Sequence, residues 1–261
     1  MLGKVFARFV EKSPISVMVR GTLERVLGAE QLDAWFARTA QKPYTRTWLF
    51  STVYAVLSQV VFRIKPSVRA AYRDQEDKVG ASLISLYNKL NGVETPTSAA
   101  LVRYRAAVLA PLIEQLAGAR APWLPGYRVK MIDGNCLEAS DRRLKALREV
   151  QGGALPGKSF VVYAPAQGLV TEVFPCEDGH AQERSLFGAV LETVHAGALW
   201  IQDRNFCPCA FLCEIDQRGA GFITRQHEGL PCEPVNVLRA VGRIETGHVA
   251  EPRVQVRDAQ G

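Results

Sequence analysis

Asp133 and Asp203 are the residues of this chain best suited by type and spacing to do chemistry. Asp133 stands in Arg128-Val-Lys-Met-Ile-Asp-Gly-Asn-Cys136, an apolar run ending in a carboxylate, where Gly134 and Asn135 are expected to stop the strand. Asp203 stands in Ala198-Leu-Trp-Ile-Gln-Asp-Arg-Asn-Phe206, a second stretch of the same shape. Two acids side by side at strand ends repel each other unless a cation or a proton lies between them. Hard oxygen donors suit Mg²⁺ (or Mn²⁺), which keeps several waters and takes substrate phosphate oxygens. Two such ions about 4 Å apart can activate the attacking oxygen and steady the leaving one in an in-line phosphoryl displacement. Arg204 offers a positive charge to a phosphate or to the acid beside it. Asn135 and Asn205 can orient a carboxylate or a water, and His180, in Glu177-Asp-Gly-His180, is a loop residue that could stand near them. Acids that merely cap strand ends would carry the same local sequence.

The elements that must position these acids follow from periodicity. Residues 1–120 read as all-helical: an amphipathic helix near the amino terminus, then Ser16–Leu27, Ala29–Ala40, a buried helix over 46–64, Pro66–Asp74, Ala81–Leu90 and a long helix over 97–118. The pair Pro66–Asp74 and Ala81–Leu90, with a turn at Lys78-Val-Gly80, has the outline of a helix-turn-helix or of an ordinary helix pair, and Asn88 and Lys89 would then face DNA. Gly118–Gly126 carries two prolines and no periodicity, which sets the expected boundary between a domain 1–120 and a domain 121–261. Beyond it come a strand over 127–133, a charged helical arm over 137–151, a hairpin of 158–164 and 169–174, a helix over 182–195, a strand over 198–202, a helix over 206–217 and a strand over 221–225. The order β-β-β-α-β-α-β is that of a mixed sheet with helices packed on it, so the expected class is α/β (α+β). Short apolar pieces alternating with charges from Val235 onward suggest a small antiparallel appendage.

Charge is unevenly spread. Residues 1–120 hold 17 Lys+Arg against 9 Asp+Glu, a net +8, and residues 121–261 hold 15 against 17, a net −2. A basic module in front of a near-neutral module with the acids fits polyanion binding joined to catalysis; a solvated basic surface would have the same composition. The six cysteines all lie in the second half and no secretory signal precedes them, so reduced thiols in a cytoplasmic protein are expected. The longest uncharged run, Thr47–Phe62, is too short and polar to span a bilayer.

Four stretches resemble bacterial insertion-sequence transposases of the DDE type, in the IS4-like group: Ile132-Asp-Gly-Asn135, Pro156-Gly-Lys-Ser-Phe-Val-Val-Tyr163, Val173-Phe-Pro-Cys-Glu-Asp-Gly-His-Ala-Gln-Glu-Arg-Ser185 and Leu199-Trp-Ile-Gln-Asp-Arg-Asn-Phe-Cys207. The resemblance extends over nearly the whole chain, including Val19-Arg-Gly-Thr-Leu-Glu24. It implies an RNase H-like catalytic domain, with Asp133 and Asp203 as the first two acids of the triad and Mg²⁺ as cofactor. It also implies double-stranded DNA, transposon ends and target, as substrate, with the helical domain binding ends and assembling a homodimer. The family's third acid sits in a Tyr-x₂-Arg-x₃-Glu-x₆-Lys pattern. Here no Tyr follows Tyr163 and no Lys follows Lys158, so no later glutamate fits it. The expectation is therefore a chain cut short inside a β-rich insertion, with impaired cleavage. The alternative is a non-catalytic DNA-binding remnant, or an inhibitor of the full enzyme.

Two further patterns are decoys. Gly152-Gly-Ala-Leu-Pro-Gly-Lys-Ser159 fits the phosphate-loop spelling, but a charged helix precedes it and a strand follows, where the mechanism needs the reverse, so no nucleotide is expected. Lys158 remains a candidate DNA contact, and Arg225, with His227, follows the last strand where it could reach phosphates or be a solvated loop residue. Cys207-Pro-Cys209 with Cys213 lacks a standard zinc spacing and reads as structural thiols.

Overall fold

The computed structural model of the chain describes residues 13–43, 48–76, 80–118, 121–137, 157–176 and 183–256. The expected arm over 138–151, the loop holding His180, the first helix and the Lys78 turn lie outside these residues. The chain divides into two compact units, Met1–Pro111 and Leu112–Gly261.

The first unit is helical: α1 Pro14–Leu27, α2 Ala29–Thr39, α3 Phe50–Val61, α4 Val68–Arg73, α5 Leu83–Asn91 and α6 Thr95–Ala117, which runs on past the unit boundary. Ser67 and Ser82 cap α4 and α5, each accepting a backbone N–H three residues on. One apolar cluster gathers Trp48, Val53, Val56, Ala71, Tyr72 and Leu86; another gathers Leu32, Trp35, Phe36 and Phe50, with Phe36 stacked on Phe50 at 4.6 Å. Asp33 ties α2 to α3 by accepting both the Ser51 N–H and its hydroxyl. Between α4, which ends at Arg73, and α5, which starts at Leu83, the turn expected at Lys78 lies outside the described residues, so the helix-turn-helix outline stays an expectation.

The second unit is a five-stranded sheet of order β3-β2-β1-β4-β5. Its strands are β1 Arg128–Leu137, β2 Gly157–Ala164, β3 Leu169–Cys176, β4 Ala198–Gln202 and β5 Gly221–Thr224. The strand β2 pairs antiparallel with both β1 and β3, whereas β1–β4 and β4–β5 are parallel. This is the mixed α/β sheet expected. One face is covered by α7 Phe187–Leu191 and α8 Cys209–Gln217, whose Phe187, Val190, Phe211 and Ile215 bury Ile132, Phe160, Val162, Phe174 and Trp200. Phe160, Phe187, Phe206 and Phe211 meet ring to ring at 4.3–6.0 Å, each pair adding about 1 kcal/mol beyond its buried area.

Three boundaries differ from expectation, each for a local reason. The strand β1 does not stop at Gly134-Asn135: its ladder with β2 continues from Asp133↔Val161 to Leu137↔Gly157, and an interior glycine weakens a ladder without ending it. The helix expected over 182–195 is a 3-10 turn, Glu183–Leu186, followed by α7, because Thr193 and Val194 bond back three residues and the Thr193 hydroxyl takes the Val190 carbonyl. The helix expected from Phe206 starts at Cys209, since Pro208 keeps the residue before it out of helical conformation. After β5 come two small antiparallel ladders: β6 Cys232–Pro234 with β9 Val254–Val256, and β7 Arg239–Ile244 with β8 Gly247–Glu251. No helix among the described residues is long and apolar enough to cross a membrane.

Candidate functional site

The parallel register of β1 and β4 decides how the two aspartates meet. The last paired residues are Met131↔Ile201, so continuing two residues sets Asp133 level with Asp203. Adjacent strands lie about 4.8 Å apart, within reach of one cation shared by two carboxylates. Alternation settles the face. Ile132 and Trp200 point into the helix-covered core, so Asp133 points the other way and is exposed. Asn135, two residues on, shares its face and is exposed.

The turn after β4 is held by its own hydrogen bonds. Asp203 Oδ1 accepts the Asn205 N–H at 2.8 Å, capping the 3-10 turn Arg204–Phe206. The Asp203 carbonyl accepts the Phe206 N–H at 3.2 Å and the Thr224 hydroxyl at 2.9 Å. The buried Gln202 amide donates to the Phe206 carbonyl at 3.0 Å. Asp133 makes a looser contact, its Oδ1 accepting the neighbouring Gly134 N–H. Thr224 and Gln202 were not legible as site residues; their only sequence signal is polarity at the end of a buried strand.

Arg204 and Asn205 are exposed and line a cleft of about 670 Å³ with Arg184, His227, Cys207, Cys209 and the Gly229-Leu-Pro231 loop. Three basic side chains, Arg184, Arg204 and His227, make this wall suited to phosphate oxygens, and Arg204 is next to Asp203 in sequence. Arg184 was missed as a site residue, although it falls in the motif around Ser185. Arg225 is exposed just after β5, and His227 Nδ1 accepts the Gly229 N–H. Lys158 sits opposite Cys136 and alternates onto the face of Phe160 and Val162, away from Asp133. In the first unit Asn88 is exposed, whereas Lys89 Nζ lies 4.6 Å from the centre of the Phe36 ring and burial lowers its pKa. Burial likewise lowers the pKa of Lys130, whose ammonium lies 5.4 Å from the Trp200 ring centre.

Cys209 and Cys213, one helical turn apart, bring their sulfurs to 3.8 Å. No group of three or more His, Cys, Asp or Glu side chains suited to a metal is present among the described residues. Asp133 and Asp203 each carry carboxylate oxygens of the hard type that Mg²⁺ takes alongside water.

No protein-family profile matches the chain, and no curated protein sequence matches it. Two solved structures are similar to it at low scores. One is the piggyBac transposase synaptic complex with hairpin DNA, with 9% identity over 78% of this chain and 49% of that one, and a TM-score of 0.34. The other is the Mos1 transposase paired-end complex with the left transposon end, with 7% identity over 71% of this chain and 60% of that one, and a TM-score of 0.28. The chain thus spans about half the length of the first and three-fifths of the second.

Proposed function

We propose that the chain is a DNA transposition protein of the IS4-like DDE type. Its helical domain, residues 1–120, binds duplex transposon ends as a homodimer, and its domain from 121 onward holds Mg²⁺ or Mn²⁺ between Asp133 and Asp203. The observation that supports the reading is the register: two acids distant in sequence lie on adjacent parallel strands, Asp133 within β1 and Asp203 just after β4, each two residues beyond the last paired position, and Arg204 beside Asp203 lines a basic cleft. The ion would draw a DNA phosphate into this site and polarise it. The protein's own part is to aim the carboxylates, through the Asp203 cap and the Thr224 bond, and to seat phosphate oxygens on Arg204, Arg184 and Arg225. Asn135 and Asn205 orient the carboxylates, and Asn88 and Lys89 belong to the DNA-facing side of the helical domain.

Manganese uptake followed by electron paramagnetic resonance tests the metal site. Wild type should remove free Mn²⁺ from solution, and Asp133→Asn and Asp203→Asn should each weaken uptake at least tenfold, as loss of a ligand does. Equal uptake by all three would refute it. Fluorescence anisotropy with a duplex tests the DNA arm: log affinity should fall steeply with log salt. Binding that ignores salt, or is absent, would refute that arm alone.

A further inference from the structure

The turn between α3 and α4 carries features that the catalytic site does not use. Val61, Phe62 and Ile64 are 75%, 73% and 66% exposed, three large apolar side chains within four residues. Arg63 between them has φ 57°, the left-handed region that favours glycine. The Ile64 N–H reaches back to the Gln59 carbonyl and the Arg63 N–H to the Val60 carbonyl, the bonding of a Schellman helix end. That end normally places glycine where Arg63 stands, and a contact normally covers the residue after it. Here the cation occupies the strained position and Ile64 stays in solvent. The turn is nonetheless rigid, because Lys65 also bonds to Gln59 and its side chain is ion-paired with Asp74.

The surroundings are mainly basic, with Asp74, paired to Lys65, and Glu76 as the nearby exposed acids in sequence. Residues 34–73 contain seven Lys+Arg and no Asp or Glu, and Arg63, Arg69 and Arg73 are all exposed. A second copy of this face would meet its own charge. A protein partner's interface core excludes charge, whereas apolar tips ringed by arginine match a duplex, where cations sit in the minor groove and apolar side chains wedge between base steps.

We propose that Val61–Lys65 is a DNA wedge: Phe62 and Ile64 enter the minor groove and unstack one base step, while Arg63 and Arg69 hold the flanking phosphates. This rests on the duplex-binding reading above. The test uses the full chain and a set of duplexes carrying 2-aminopurine at successive steps. Wild type should bind and raise the fluorescence at one step. Phe62→Ala/Ile64→Ala should bind at least fivefold more weakly and lose that rise, with its melting temperature unchanged, because both side chains are exposed. Arg63→Gly should melt no lower than wild type, since glycine takes this φ without strain, yet bind more weakly with a salt slope reduced by about one. Wild-type binding with no fluorescence rise, or variants that bind and unstack as wild type does, would overturn the wedge and leave duplex binding standing. Variants that change self-association alone would assign the turn to a dimer contact and overturn it too. Failure of wild type to bind any duplex would remove the reading on which it rests.

Discussion

Asp203 serves two purposes in this reading, and a pair of substitutions separates them. Its Oδ1 caps the 3-10 turn through the Asn205 N–H, and its negative charge would hold the cation with Asp133. Asp203→Asn keeps an oxygen acceptor and removes the charge; Asp203→Ala removes both. Losing a cap of this kind costs about 1 kcal/mol. In a unit running from Leu112 to Gly261, roughly 150 residues, 1 kcal/mol moves the melting temperature by about 3 °C. Mn²⁺ at about ten times its dissociation constant adds about 1.4 kcal/mol, or about 4 °C more. Calorimetric melting with Mn²⁺ and with a chelator reads both quantities. Wild type should gain about 4 °C with Mn²⁺. Asp203→Asn should start level with wild type or above it, because one of two facing charges is gone, and should gain nothing. Asp203→Ala should start about 3 °C lower and gain nothing. An asparagine variant that melts as low as the alanine variant would remove the cap from the account. One that keeps the full Mn²⁺ gain would remove the cation.

Thr224→Val deletes the hydroxyl that holds the Asp203 carbonyl; it should cost about 1 kcal/mol of stability and weaken Mn²⁺ binding about tenfold, read by melting and by paramagnetic titration. Arg105 is only 6% exposed, and among the described residues its Nε and one terminal nitrogen have no hydrogen-bond partner, so Arg105→Met should stabilise the chain by about 1–2 kcal/mol in chemical denaturation. Burial lowers the pKa of Lys130 in the folded chain, so as pH rises toward 10.5 the unfolded state holds the extra proton and folding gains. Wild type should therefore gain stability relative to Lys130→Met as pH rises toward 10.5, and a constant difference between the two would contradict the shift.

The strands of the sheet were legible because burial leaves runs of apolar residues bounded by turn signals. Phe160–Ala164 and Ala198–Ile201 are continuous apolar runs, as suits the inner strands β2 and β4. Strand ends were less legible. Gly134-Asn135 is a stop by local preference, but the β2 partner carries the ladder past it, which no local rule reports. The aspartates were legible as chemistry, whereas their alignment was not: that needs the β1–β4 register, a long-range fact. Thr224, Gln202 and Arg184 were hidden for the same reason, since their meaning lies in what faces them across the fold. The wedge turn reads in sequence as an ordinary helix end before a proline, and only φ and exposure set it apart.

The aspartates and the core are specified by the same register. A slip of one residue in β1 would turn Ile132 out of the aromatic cluster and drive Asp133 into it. Burying an unpaired carboxylate there costs several kcal/mol, on top of the lost burial of Ile132. Packing on the helix-covered face therefore fixes where the carboxylate points on the other, with no bond from Asp133 itself required. That explains how Asp133 can be exposed and bonded only to its neighbour's N–H while still being aimed. Asp203 lies beyond the last residue of β4, where no ladder holds it, and the fold supplies the Asn205, Phe206 and Thr224 hydrogen bonds instead. The two halves of the candidate site are thus positioned by different physics. A core substitution beneath β1, such as Ile132→Ala, should disturb Asp133 more than the Asp203 turn, whereas Thr224→Val should do the opposite.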